Sequence, residues 1–225
     1  MYIERWYLLF NPMVQTFCGI TKNTKANAPF MPDSNWSRFV LSGDRLLPSG
    51  ISISDKRLLR LDVMLEIRRK EGQTLPISAL KTLGRNCSRL LVDPHTDNHQ
   101  DLIDCIMMGS SLVCIDHRAQ FKELQSAHAT SQNIVVKLEL NSEMLENPED
   151  HLARLKTLSD MVGELIMVKT RQPGILEEWW IDLPRSIRSS WRWIMAPAEG
   201  EKLPLKNSSR IHSWALSGDL FLSDL

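Results

Sequence analysis

Residues 88–118, SRLLVDPHTDNHQDLIDCIMMGSSLVCIDHR, constrain the fold more than any other stretch. A short apolar run from Arg89 ends in Asp93. A polar loop follows, with Thr96 or Asp97 as the candidate helix cap. Leu102, Ile103, Ile106 and Met107 recur at helical spacing, and Gly109 ends the run. Residues 112–115 are a second buried-type strand, followed at once by Asp116 and His117. Strand, helix and strand in so short a span predict a βαβ unit, because parallel strands need a crossover. Both strands end in side chains able to move protons.

Much of the remaining chain reads as repeats of this unit. Residues 6–17 predict a strand, and 38–41 a short one. Leu58, Leu61 and Leu65, with charges between them, predict a helix capped by Ser54 and ended by Gly72. Residues 74–80 read as a weaker strand, or as the lead into a helix ending near Gly84. A connector holding His128 leads to the β-branched run NIVVKLEL at 133–140. Asn147-Pro148 starts a helix, 164–168 is a strand, and 177–190 is a helix broken at Pro184. Residues 191–195 form a strand, 211–217 a short helix, and 220–222 a last strand. With the short run at 38–41 set aside, eight strands alternating with helices predict one α/β domain over residues 1–225. The expected architecture is a (β/α)8 barrel, degenerate at its first and last units. No glycine-rich turn follows the first strand, as a doubly wound nucleotide-binding sheet would require.

Composition narrows the function classes. The 27 basic side chains equal the 27 acidic ones, which argues against a nucleic-acid binder. Apolar content of 43% suits a globular domain, and no run reaches the ~18 apolar residues of a membrane span. The four cysteines, Cys18, Cys87, Cys105 and Cys114, include no CxxC pair, so a reduced, cytoplasmic protein is expected. No cofactor is expected.

Three stretches carry a resemblance: LLVDPHTDNHQDLIDCIMMGSSLVCID (90–116), NIVVKLELNSEMLENPEDHLARLKTL (133–158) and ELIMVKTRQPG (164–174). With these as third to sixth strands, the chain resembles the ProFAR-isomerase-like barrels of histidine biosynthesis. The nearest branch is the one linked with tetrahydromethanopterin-dependent one-carbon metabolism. The resemblance implies a ribulose-phosphate-binding barrel whose acid and base are carboxylates ending the first and fifth strands. Here residues 6–13 hold no acid, whereas the fifth strand keeps Glu139. The family's glycine turns for phosphate are replaced by Asp93-Pro94-His95 after the third strand. After the seventh they become Ala196-Pro197-Ala198-Glu199-Gly200.

Barrel strand C-termini define the candidate site. Glu139, Asp93, His95 and Asp116 are the candidate catalytic groups. Asn11, His117, Lys169, Thr170, Arg171 and Gly200 are the candidates for holding an anionic substrate. The expected chemistry is acid/base isomerase or lyase catalysis on a small anionic, phosphorylated metabolite. The alternative is a catalytically degenerate barrel acting as a binding or assembly subunit. Asp93, His95, Asp97 and His99 alternate as metal ligands on an extended segment would, but a helix starting near Asp97 breaks the pattern, and no metal is assigned. Trp179 and Trp180 are adjacent on one amphipathic helix, which leaves two readings open: a homodimer or protein partner covers them, or they pack on the barrel's own outer wall.

Overall fold

The computed structural model describes residues 35–70, 72–146, 148–161, 165–199, 201 and 211–222. The expected strand at 6–17 and the candidates Asn11 and Gly200 lie outside these residues.

Eight parallel strands close into a (β/α)8 barrel: β1 (Trp36–Ser42), β4 (Asp62–Glu66), β5 (Arg89–Asp93), β6 (Leu112–Asp116), β7 (Ile134–Leu140), β8 (Leu165–Thr170), β9 (Arg192–Ala196) and β10 (Ile211–Ser217). Closure is made by β10 on β1, with Trp36 opposite Ala215 and Arg38 opposite Ser217. Gly218 sits against Phe39 at this seam. A Cβ there would fall 2.0 Å from the ring, so only glycine fits. Two short strands, β2 (Arg45–Leu47) and β3 (Ile51–Ser52), extend β1 as an antiparallel hairpin.

The outer helices are α1 (Ile77–Asn86), α2 (His99–Met107), α3 (Phe121–Thr130), α4 (Ser142–Glu146), α5 (Pro148–Met161), α6 (Ile175–Asp182), α7 (Arg185–Ser190) and α8 (Asp219–Leu222). The first crossover is a hairpin plus a single 3₁₀ turn (Lys56–Arg60), and the last helix has four residues. Both end units are therefore reduced, as expected.

The alternation of each strand sorts its residues into two layers. Leu90, Val92, Val113, Val136, Leu138 and Val168 face the helices and join the main core. Met64, Leu91, Cys114, Val135, Met167 and Ile194 face inward and fill the barrel's lower part.

Several expectations are corrected. The helix over 54–72 is a 3₁₀ turn followed by β4; Leu58 is buried by the turn, and Val63 and Leu65 then alternate toward the helices. Of the two readings of residues 74–80, the lead into a helix holds and the strand does not: 74–76 are loop and 77–80 are the first turn of α1. The connector holding His128 is α3. Residues 211–217 form β10 and 219–222 form α8, the reverse of the expected order. The cap of α2 is Asn98, whose side chain accepts from the Gln100 N–H. Trp179 and Trp180 are both buried, edge-on to Trp193 at 5.7 and 5.3 Å between centroids. The pair is core because α6 lays both rings on β9. Among the described residues no helix is long and apolar enough to cross a membrane.

Candidate active site at the barrel mouth

Above the apolar inner layer the barrel interior turns ionic. Glu66 and Asp93 are the last residues of adjacent strands β4 and β5, opposite each other in register, and both point inward. Lys137 projects from β7 and Lys169 from β8 on the same inner face. Lys137 Nζ donates to Asp93 Oδ1 at 2.9 Å. Lys169 Nζ lies 2.9 Å from Glu66 Oε2 and 3.7 Å from Asp93 Oδ2, bridging the two carboxylates. Arg38, from β1, donates through Nε to Glu66 Oε1 at 2.6 Å and through Nη1 to the Pro197 carbonyl at 3.0 Å.

His95 completes the cluster. Its Nε2 lies 3.3 Å from Asp93 Oδ2 and 4.0 Å from Glu66 Oε2, and its backbone N–H donates to Asp93 Oδ1. It is the one non-glycine residue with positive φ, 49°, among those described. That conformation costs a side-chain-bearing residue on the order of 1–2 kcal/mol, and such strain concentrates at functional sites. Glu66 Oε2, Asp93 Oδ2, His95 Nε2 and Lys169 Nζ are buried and face one another without a well-directed hydrogen bond.

The electrostatics follow from this packing. Burial pushes the Glu66 carboxyl up, but Arg38 and Lys169 outweigh it and bring it down to about 2. Burial would discharge Lys137, yet Asp93 holds its ammonium above the ordinary lysine value. Burial lowers His95 more than Asp93 raises it, with Lys137 and Lys169 adding to the lowering, so the neutral imidazole is favoured. Arg38, Lys137 and Lys169 thus surround the Glu66 and Asp93 carboxylates at the centre, and Asp116, beside Lys137 in register, also acts on its ammonium. Beneath them, burial drives the Cys114 thiol well above its usual range, which leaves it protonated and inert.

Of the sequence candidates, the structure brings Asp93, His95 and Lys169 together. Glu139 is beside Lys169 in register, but its carboxylate pairs with Arg171 Nε at 3.0 Å at the rim. Thr170 is buried, and its hydroxyl holds the following turn through Gln172. Two candidates are placed elsewhere. The Asp116 carboxylate accepts from the Arg118 backbone and guanidinium, closing a local turn. Burial opposes its ionisation, but His117 and Arg118 hold the Asp116 carboxyl well below the usual range. His117 is buried beside His151 of α5, ring centroids 5.7 Å apart, and its carbonyl accepts from Arg154. Its Nδ1 also lies 3.3 Å from Asp116 Oδ1, so the ring is held between that carboxylate and α5, away from the Glu66–Asp93 cluster. His99 starts α2 and bonds Glu123, so the alternation of acids and histidines from Asp93 does not converge. Among the described residues no group of three or more His, Cys, Asp or Glu side chains is placed to hold a metal ion.

Arg38, Glu66 and Lys137 were not among the sequence candidates. Lys137 had a readable signal, a lone charge inside a strand apolar on both faces. Glu66 was hidden by the leucine spacing before it.

A cavity of about 720 Å³ opens at the mouth beside the cluster. Arg38 belongs to both, lining the cavity and binding Glu66. Arg68 and Arg171 also line it.

No protein-family model matches the chain, and no curated protein sequence does. Solved structures do. One is a crystal structure of 3-hexulose-6-phosphate synthase. It is 13% identical, over 68% of this chain and 77% of that one, with a TM-score of 0.44.

Proposed function

We propose that this barrel is an acid/base enzyme of isomerase or lyase type, acting on a small anionic carbonyl compound. The observation that carries the reading is the strained His95 beside the Glu66–Lys169–Asp93 cluster at the C-terminal end of the barrel strands. A neutral imidazole is suited to take a proton from carbon next to a carbonyl. The lysines and Arg38, converging on a buried site, are suited to stabilise the enolate oxygen that forms. Asp93 and Glu66 act by positioning: Asp93 holds the Lys137 ammonium, and Glu66 anchors Lys169 and Arg38 by ion pairs.

The ProFAR-isomerase-like resemblance would assign the acid and base to the first and fifth strands. In the described barrel those strands present Arg38 and the Lys137/Glu139 pair, while the interior carboxylates sit on the second and third strands. We therefore take the chemistry to differ from that family's, although the fold class is the same. A second reading, a barrel that binds but no longer catalyses, is favoured by one observation: Glu66 and Lys169 have no exposed surface. Against it, His95 is 24% and Arg38 18% exposed, which gives the cluster two contacts with the mouth.

Proton NMR in D2O tests the reading. The protein is incubated with a panel of aldose and ketose phosphates and of 2-oxo acids, and loss of carbon-bound proton signal is followed. We expect exchange with at least one compound, and at least a hundredfold slower exchange in His95→Gln and Lys169→Met. No exchange across the panel, or unchanged rates in a folded His95→Gln variant, overturns it.

A further inference from the structure

We infer that the mouth cavity is built for an anion carried on an apolar body, a phosphate ester or carboxylate with an acyl or aromatic group, and not for a plain sugar phosphate. This rests on the anionic-substrate reading above and names the class of molecule.

The cavity has two unlike walls. One is cationic: Arg38 reaches it from within β1, and Arg68 and Arg171 from just past the ends of β4 and β8. Each already meets one carboxylate, Arg38 and Arg68 on Glu66 and Arg171 on Glu139. A guanidinium has five N–H donors, so each retains donors for a ligand anion. Acids line the cavity too. Glu201 is turned onto the backbone N–H groups of Gly174 and Ala198, at 2.9 and 3.0 Å. Glu199 and Asp219 lie with Pro197 and Leu220 on the β9 and β10 side.

The other wall is apolar and follows from local geometry. In β2, alternation sends Leu46 into the core and leaves Leu47 on the opposite face, 42% exposed and lining the cavity. In α8, Phe221 and Leu222 pack on the core, which turns Leu220 outward, 60% exposed, into the same cavity. Val40, Pro48 and Leu216 continue this wall. Leu47 and Leu220 are two of the few large apolar side chains that the described residues leave exposed, and both are at this mouth. A sugar phosphate carries a hydroxyl on nearly every carbon. Against this wall those hydroxyls would lose water without gaining partners. An acyl or aromatic body would cover the leucines while its anion meets the arginines. The volume is in the usual range for such ligands, roughly 300–1,000 Å³.

Isothermal titration calorimetry with four probes tests this: hexyl phosphate, phenyl phosphate, ribose 5-phosphate and hexanol. We expect hexyl or phenyl phosphate to bind at least tenfold more tightly than ribose 5-phosphate, and hexanol to bind more weakly still. Leu47→Ser and Leu220→Ser should weaken the apolar phosphates at least fivefold and ribose 5-phosphate less than twofold. Arg68→Ala with Arg171→Ala should weaken every phosphate. Leu47 and Leu220 are surface positions, and thermal melts confirm that the variants fold. Equal or tighter binding of ribose 5-phosphate, insensitivity to both leucine changes, or no binding by any probe overturns the inference. The proton-exchange assay keeps the two claims apart. Exchange on a sugar phosphate that binds best leaves the enzyme reading standing and removes this one. Selective hexyl phosphate binding without exchange on any carbonyl compound does the reverse.

Discussion

Strands β5 and β6 are neighbours, and each ends in an aspartate with a histidine close behind, yet the two pairs come to opposite uses. Asp93 faces inward, and Lys137 and Lys169 approach it there. Pro94 separates it from His95, whose positive φ turns the imidazole back over the carboxylate. Asp116 stands beside Lys137 in register, but that ammonium is bonded to Asp93, and Asp116 closes on Arg118. His117 follows with no intervening residue. Alternation therefore sends it toward the helices, under α5. Identical residue types thus separate into a pair at the lysine cluster and a pair held against Arg118 and α5, by one inserted proline and by which pair the lysines reach.

The largest expected break in this comparison comes from removing a cation. Lys169→Met leaves buried Glu66 with Arg38 and the more distant Arg68, and buried Asp93 with Lys137. Removing one partner of a buried pair costs about 3–5 kcal/mol. Asp116→Asn keeps an oxygen for the Arg118 N–H; it loses the ion pair with Arg118, whose side chain is 68% exposed, and weakens the contact with buried His117, so its cost should stay below that of Lys169→Met. Urea denaturation of both variants should show the difference as a shift of midpoint. Equal shifts would mean that the two strand ends are energetically alike.

Acid titration sharpens the same contrast. The folded Glu66 carboxyl is held down at about 2, from an ordinary value of 4.5. A depressed carboxyl stabilises the fold above its unfolded pKa, and that contribution disappears as pH falls from about 4.5 toward 2, because the unfolded chain binds the proton first. The amount is about 3 kcal/mol. His95 adds in the same direction at higher pH. Its lowered folded pKa makes the unfolded state take up a proton first as pH falls through about 6.5. Asp116 is also held low, so wild type alone does not separate the sites. Glu66→Gln should flatten the acid limb below pH 4.5, and His95→Gln the limb near 6. An unchanged profile in Glu66→Gln would place the acid sensitivity elsewhere.

The sequence exposed the middle of the barrel well and its ends poorly, for physical reasons. Strands β5 to β9 are covered on both faces, so they read as continuous apolar runs bounded by turn residues. β4 has five residues, too few for its alternation to outweigh the helical spacing of Leu58, Leu61 and Leu65. In β10, IHSWALS puts small residues such as Ser213 and Ala215 in buried positions, which carries no strong signature of strand or helix. The site suffered in proportion. Asp93, His95 and Lys169 lie on the legible strands. Glu66 and Arg38 lie on β4 and β1, where the strand was missed or read only as a short candidate, and their pairing needs two strands to be placed before it can be seen.

The smallest effect is the most specific to the comparison. At φ 49° a glycine is at ease where histidine is strained. His95→Gly removes that strain, which offsets both the lost contact with Asp93 and the greater freedom of the unfolded chain. Its stability should stay within about 1 kcal/mol of the parent. His117→Ala instead empties a packed position beside His151 and should cost at least about 2 kcal/mol. The proton-exchange rate should order the other way, falling at least a hundredfold in His95→Gly and far less in His117→Ala. A residue kept for stability loses stability when it is cut, whereas one kept for chemistry against its own backbone preference does not. If His95→Gly destabilises as much as His117→Ala and exchange is untouched, the left-handed histidine is a packing feature and the cluster beneath it a structural one.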